Sequence, residues 1–561
     1  MAAGTVLAQP DPAQQQQQQR QSQRDREQLE QLLNPPEAHL PATPPSNESA
    51  ARFDESERPC VVIRQLRIAG IDSHTEHRSA LLAWLRPHAD GTRLGDADAV
   101  EGKCLGARGI EHLLARLQDA LIERGYITSR VYAPPQDLAD GELVVTLVPG
   151  RIRTIRLAAP VHPGVGLGSA FPMAAGDLLR LPDVEQGLEN LKRVPTAEID
   201  IRIEPGQETG QSDVVVTHDQ GFPLRGALSL DNSGSKAAGK HLAGLSLAYD
   251  NGLALNDLLH ASLSGSVDGG HARGKATRSA LLHYSVPYGY WLSSASYSNS
   301  NDRRTFAGAS RDYLYRGNGS HAQLGLSRVL WRHASQRLDA SIKVFRRRAG
   351  NYIDDVEIEV QQRATAGWEL GLNHRARLGS AVVDAGLTYR RGTGAFGALA
   401  SPEQAFGEGS ARFRIWGLEA QLAVPWRPSD QRLSYSLSIR GQFNRTPLAP
   451  QERFAIGGRY TVRGFDGESS LSADRGWLLR NEVAWALGGS GQQIYLGLDW
   501  GRVDGQAAHR LTGHELAGTA IGLRGGWRRW QYDVFVGRPL HRPAGFKTAR
   551  HTASFSTQLV F

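Results

Sequence analysis

Few residues of this chain are typed and spaced for chemistry. Eighteen histidines and two cysteines are scattered over 561 residues, without the spacing that gathers a zinc ion. There is no Gly-x-Ser-x-Gly elbow between a strand and a helix, and no glycine-rich loop is set to cradle a phosphate. No catalytic, cofactor or metal site is therefore expected. What remains is one arginine in the stretch Ile456-Gly457-Gly458-Arg459-Tyr460-Thr461-Val462-Arg463-Gly464-Phe465. Its glycines permit tight bends. Arg463 carries a rigid fork of donors suited to a carboxylate, so it needs an acceptor if its loop folds inward. Asp499 stands between Gly497 and Gly501, which leave room for a side chain to approach it. A solvated wall charge is the bland reading of that aspartate. Cys60 and Cys104 are the other reactive pair. An isolated pair fits one disulfide in an oxidising compartment; two unrelated buried thiols are the alternative. A bridge closing about 45 residues is worth about 4 kcal/mol in the chain-entropy model.

The elements around these residues are strands. Leu433, Tyr435, Leu437, Ile439 and Phe443 alternate with Ser434, Ser436, Ser438, Arg440 and Gln442. A period of two gives each strand one apolar face, and this pattern runs through roughly the last 60% of the chain. No window approaches ~18 consecutive apolar residues, so no transmembrane helix is expected. A transmembrane barrel would still fit, since every second residue faces a polar lumen. The 62 glycines suit a β-rich chain with many turns. A formal charge of +7 is modest for this length, and no basic cluster with interleaved aromatics points to nucleic acid.

In chain order, Met1 to Ala8 has no basic region, and Ala8-Gln9 resembles the end of a cleaved signal, so a leader remnant is expected there. Gln14 to Leu33 is helical by propensity, with only Leu29, Leu32 and Leu33 as an apolar stripe. It reads either as a disordered polar tail or as a helix in a wet cavity. A proline-rich linker spans 34–58 and could reach roughly 70 Å in polyproline form. Residues 59–149 read as a β-α-α-β-β module, with a short helix at 78–85 and an amphipathic one through Ile110, Leu113, Leu114, Leu117 and Leu121, closed by Gly125. Residues 150–219 read as a second copy. From 220 to 561 the helices stop and sixteen strands are expected, from 224–231 to 551–561. Connections alternate tight (Pro287–Gly289, His333–Ser335, Gly526–Trp527) and long (Ser300–Asn318, Gly392–Gly409, Thr446–Arg475), as outer-membrane barrels require. Ile494, Leu496, Leu498 and Trp500 share one parity and should face lipid, which turns Asp499 to the lumen. The chain ends on an aromatic, Phe561, in phase with the last strand, a usual ending for such barrels.

Two small α+β modules before a sixteen-stranded all-β transmembrane barrel, with Val462-Arg463-Gly464-Phe465 in a long loop at 446–475, resemble the TpsB transporters of two-partner secretion. Further stretches carry the resemblance: Glu123-Arg124-Gly125-Tyr126 with Ser129-Arg130-Val131, Asp183-Val184-Glu185-Gln186-Gly187-Leu188, Asp231-Asn232-Ser233-Gly234 and Tyr284-Ser285-Val286-Pro287-Tyr288-Gly289-Tyr290-Trp291. The resemblance implies two periplasmic POTRA domains, a lumenal plug helix within 1–33, and an outer-membrane pore. It implies a loop-barrel lock of Arg463, Gly464, Phe465, Gly497 and Asp499, and a barrel C-terminal signal at Phe561. The Cys60–Cys104 pair is similar to the haemolysin and contact-toxin branch. The implied partners are a secreted TpsA-type exoprotein, outer-membrane lipid and lipopolysaccharide, and the barrel-assembly machinery during biogenesis, with no nucleic acid and a monomeric barrel. An unfolded exoprotein would pass without ATP, driven by its own folding as it emerges. The pair in the lock is expected to be partly hydrated. Rival readings are a barrel-assembly factor of the same superfamily, a receptor or adhesin, and a lumenal enzyme.

Overall fold

The structure is a computed structural model that describes residues 52–54, 56–70, 84–89, 98–159, 164–268 and 274–561. The expected plug helix and most of the expected linker lie outside these residues, as does most of the expected helix at 78–85; residues 84–89 are helical. The chain divides into two compact units, one holding the α+β modules as far as Gly221, the other beginning at Phe222.

In the first module, strand Glu142–Val148 lies between Gln65–Ala69, which is parallel to it, and Arg130–Tyr132, which is antiparallel. Helix Ala107–Glu123 buries Leu113, Leu117 and Leu121 against Leu143, Val145 and Leu147. Its C-terminus closes on Gly125 in the left-handed region, with Tyr126 N–H donating to Leu121 O at 2.8 Å. Its N-terminus has no cap of its own. Glu57 supplies one from a distant segment, accepting from the N–H groups of Gly106, Arg108 and Gly109 at 3.1, 2.8 and 2.9 Å. A carboxylate there also meets the positive end of the helix dipole. A Cβ on Gly106 would stand 2.4 Å from the Glu57 carboxyl carbon, so this approach needs glycine. Cys60 and Cys104 form a disulfide beside the pair Val61–Val62 and Cys104–Leu105.

The second module repeats this topology. Strand Gln211–Gln220 is central, parallel to Arg151–Leu157 and antiparallel to Ala197–Pro205. Helix Leu181–Lys192 carries Pro182 in its first turn, where the missing N–H costs nothing.

The second unit is a closed barrel. Its strands are β1 Leu224–Asp231, β2 Leu242–Asp250, β3 Leu258–Ser266, β4 Ala276–Tyr288, β5 Trp291–Ala307, β6 Asp312–His333, β7 Gln336–Ile353 and β8 Arg363–Leu378. They continue with β9 Ala381–Thr393, β10 Arg414–Trp426, β11 Leu433–Asn444, β12 Arg475–Ala486, β13 Gln492–Asp504, β14 Glu515–Trp527, β15 Trp530–His541 and β16 Thr552–Val560. Each is antiparallel to its neighbours, and β16 returns to β1 through Leu559↔Leu228. Closure leaves no unpaired edge, which a bilayer would not tolerate. Leu324, Ile342, Leu370, Leu387, Leu418 and Leu496 stand exposed on the outer face. Trp291, Trp331, Trp426, Trp485, Trp527 and Trp530 ring the tight-turn end, as an interfacial girdle does. Phe561 exchanges backbone hydrogen bonds with Gly226 at 2.8 and 2.9 Å, and its ring covers that glycine.

The expected long loop at 300–318 is not a loop. β5 runs to Ala307 and β6 begins at Asp312, so the hairpin continues as a ladder. Apolar alternation stops where lipid stops, but Ser, Asn and Arg still pair through their backbones.

Asp98 generates a prediction. It accepts from Lys103 Nζ at 2.6 Å, Arg116 Nη2 at 2.9 Å and Phe53 N–H at 3.2 Å, and it is 3% exposed. Burial opposes its charge, but these bonds outweigh burial and hold the carboxyl below its ordinary 3.8. Its contribution to stability is therefore complete above that value and lost as pH falls through the lower folded value. Asp98→Asn should take this carboxylate from the buried Arg116 and cost roughly 3 kcal/mol. Amide exchange of residues 98–123 in the whole protein should rise accordingly, and wild type should approach the variant only in acid.

Candidate functional site

The loop joining β11 to β12 packs closely on the barrel wall. It leaves β11 at Asn444, turns at Pro450–Glu452, and pairs Phe454–Ile456 with Leu471–Ala473. Between those short strands runs the glycine-flanked stretch. Gly464 sits in the left-handed region, and a Cβ there would come 2.4 Å from Arg538 O of β15. The wall answers with glycines of its own. A Cβ on Gly497 of β13 would strike the Arg463 guanidinium, and one on Gly518 of β14 would strike Arg463 O. Only bare backbone lets loop and wall approach this closely.

Arg463 is the centre of the contact. Its Nε and Nη2 each donate to Asp499 at 2.8 Å, one to each carboxylate oxygen, and its own backbone N–H donates to Asp499 at 2.8 Å. Nη1 donates to Glu482 of β12, and Nη2 also reaches Asn481 O at 3.2 Å. Asp499 is 0% exposed and Arg463 4%. Burial works against the guanidinium's charge, but its bonds to Asp499 and Glu482 outweigh burial and hold the proton more firmly than in water. Two further cations balance the carboxylates: Arg480 lies 3.8 Å from Asp499, and Arg524 lies 2.6 Å from Glu482.

The expectation of a partly hydrated pair is thus corrected. The loop brings its own apolar cover: Ile456, Val462, Phe465, Leu471, Leu478, Val503, Leu516 and Phe546 form one buried cluster. Phe465 meets Phe546 edge-on at 5.8 Å between ring centres. Arg463 and Asp499 are both buried beside this cluster.

The sequence places Arg463, Gly464, Phe465, Gly497 and Asp499 together as a candidate lock, and they do meet. Cys60 and Cys104 belong to the other unit, and Phe561 lies at the β1–β16 seam. Glu482 and Arg480 alternate in the sequence with Trp477, Leu479, Val483 and Trp485 but were not assigned to the lock, and Arg524 and Gly518 escaped the sequence reading. Their signal was lumenal parity, which Glu482 and Arg480 share on β12. Parity alone does not say which inward charge meets which.

A closed sixteen-stranded barrel with an inward-folded loop, in a chain with two POTRA-type modules, defines an outer-membrane transporter of two-partner secretion. Comparison with known proteins agrees. A model described as "Haemolysin secretion/activation protein ShlB/FhaC/HecB" matches residues 210–525, a ShlB-type POTRA domain matches 93–150, and a further POTRA domain matches 151–205. The chain is 37% identical to outer membrane transporter CdiB-2 of Burkholderia pseudomallei (strain 1026b), covering 82% of this chain and 79% of that one. It is 31% identical to CdiB of Dickeya dadantii (strain 3937) over 92% and 88%. The solved CdiB from Acinetobacter baumannii superposes with a TM-score of 0.86 at 27% identity, covering 99% of this chain and 100% of that one. The chain belongs to the ShlB/FhaC/HecB family. It is a transporter of the outer membrane with POTRA domains in the periplasm, and its partner is a secreted exoprotein.

Breaking a buried ion pair from either side costs about 3–5 kcal/mol, and a lysine cannot reproduce the fork. Arg463→Ala, Asp499→Ala and Arg463→Lys should each cut export at least about tenfold, a change worth ~1.4 kcal/mol of effective coupling, while the barrel still inserts. The Arg463→Ala/Asp499→Ala double variant should be little worse than either single. The check is the exoprotein recovered from the medium, with insertion read from heat-modifiable migration.

Proposed function

We propose that this chain carries one large toxin of contact-dependent inhibition to the cell surface, without chemistry of its own. The observation that supports this most is its 37% and 31% identity to CdiB transporters over 82% and 92% of its length. Haemolysin transporters HpmB of Proteus mirabilis and ShlB of Serratia marcescens stand at 26% and 27%. The disulfide of the first module fits the haemolysin and contact-toxin branch without separating the two.

In this reading the POTRA modules receive the exoprotein unfolded. The nine-residue strand Ala197–Pro205 is an edge of its sheet, and an extended peptide adds to such an edge through backbone hydrogen bonds. The chain then threads the lumen, and folding outside draws it forward. Gln14–Leu33 plugs the lumen at rest, on a linker within 34–58 long enough to release it. The barrel works as a monomer and reaches the membrane through the barrel-assembly machinery, with Phe561 as its signal.

Two experiments test this. Deleting residues 59–219 from a barrel that still inserts should abolish export of a co-expressed toxin; undiminished export would refute the proposed route. Removing residues 10–33 should raise conductance through the purified protein in a planar bilayer, and unchanged conductance would refute the plug.

A further inference from the structure

Above the lipid-facing leucines, one half of the barrel carries arginines where the other half carries ion pairs. On β9 and β10, Leu387↔Leu418, Tyr389↔Trp416 and Arg391↔Arg414 succeed one another on the outer face. Tyr389 lies tilted against Trp416 at 4.8 Å between ring centres and edge-on to Trp368 of β8 at 5.6 Å, making an aromatic band beside the arginines. The same outer parity carries Arg346 and Arg348 above Ile342 and Val344 on β7, Arg278 above Leu282 on β4, and the direct pair Arg303↔Arg316 on β5 and β6. Arg278, Arg303, Arg348, Arg391 and Arg414 lie about ten to twelve residues beyond the tight-turn end of their strands, roughly the length that crosses a hydrocarbon core. They therefore stand at the boundary of the outer leaflet.

Like charges directly opposite across an antiparallel pair repel. Arg391 and Arg414 are both exposed and face each other with no acidic partner among the described residues. Arg316 has one, Asp355; its Nε and that of Arg346 are shielded from solvent and donate to nothing. On the opposite half, two outward arginines at this level are neutralised in place, Arg475 by Asp504 at 3.0 Å and Arg502 by Glu515 at 2.8 Å, while Arg538 of β15 is exposed nearer the tight-turn end. The difference is one of missing acids, not of extra arginines alone.

We propose that the outer face of β4–β10 is a binding site for the phosphates of an outer-leaflet glycolipid headgroup. The phosphate groups supply the anions that the strands lack, and guanidinium forks bind them bidentately. The aromatic band seats the sugar–acyl boundary. The acyl chains lie on Leu370, Leu387 and Leu418, which are already exposed to lipid. Such a site fixes one side of the barrel against the leaflet while the ion-paired side stays neutral toward it.

The test uses the whole purified protein in detergent, with native mass spectrometry reading retained lipid. The probes are bisphosphorylated lipid A, the same lipid dephosphorylated, phosphatidylglycerol and inorganic phosphate. Wild type should retain bisphosphorylated lipid A about tenfold better than the dephosphorylated form or phosphatidylglycerol, as loss of several charge-assisted bonds requires. Arg348→Ser/Arg391→Ser/Arg414→Ser should lose about that factor, and Arg475→Ser should not. Heat-modifiable migration confirms that each variant is folded, with the single Arg414→Ser as substitute if the triple fails. Equal retention by wild type and the arginine variants overturns the site. So does equal retention of the phosphorylated and dephosphorylated lipid, or displacement of lipid A by inorganic phosphate alone.

Discussion

A single buried carboxylate sets the terms for the outer half of this barrel. Asp499 sits on a wall strand with no exposure to water, where an unpaired charge would be prohibitive. It is tolerable because Arg463 delivers three hydrogen bonds to it from the loop, with Arg480 a further cation 3.8 Å from it. The reverse also holds, since Arg463 is just as buried and finds its acceptors only on the wall. Neither element is at rest without the other. The glycines at 464, 497 and 518 follow from this constraint, because any side chain there would hold loop and wall apart. The apolar cluster around Phe465 follows too, since it keeps water from competing for the pair. A buried pair of this kind adds little net stability over an apolar filling. Its value lies in specifying one position for a loop that otherwise has many.

The two units hold themselves together by different means. The barrel needs no conventional core, because its strand ladder is closed and its outer face is solvated by lipid. The POTRA modules are small, and each must bury a helix against three strands. The first has extra ties, a Cys60–Cys104 disulfide and two acids, Glu57 and Asp98, that bind the segment around Phe53 to the helix. Phe53 itself is buried under the Arg116 guanidinium. These ties secure the point where the module meets the preceding linker.

Much of this was legible in the sequence, for reasons that can be named. Alternation marked the barrel strands because lipid demands an apolar residue at every second position. It failed at 300–318, where β5 and β6 continue beyond the lipid and nothing enforces the pattern. Asp499 could be assigned to the lumen from the parity of Ile494, Leu496, Leu498 and Trp500, and all four are exposed outward. The burial of its contact with Arg463 was not legible, since the cover comes from Phe546 and Leu516, which lie on other strands and loops. Glu482 was visible as an inward charge but not as a second acceptor. The capping of a helix by Glu57, 49 residues before Gly106, has no local signature at all.

The central claim is that the Asp499 carboxylate holds the loop on the wall. A Cβ at Gly501 would lie 3.3 Å from Val462 Cγ2, so cysteines at 462 and 501 are within bridging reach only while the loop is docked. The yield of the 462–501 disulfide under mild oxidant in isolated outer membranes, read by mass spectrometry, measures docking directly. The account predicts a high yield with Asp499 present and a loss of most of it with Asp499→Asn. An equal yield in both would show that the loop is held by something other than this carboxylate.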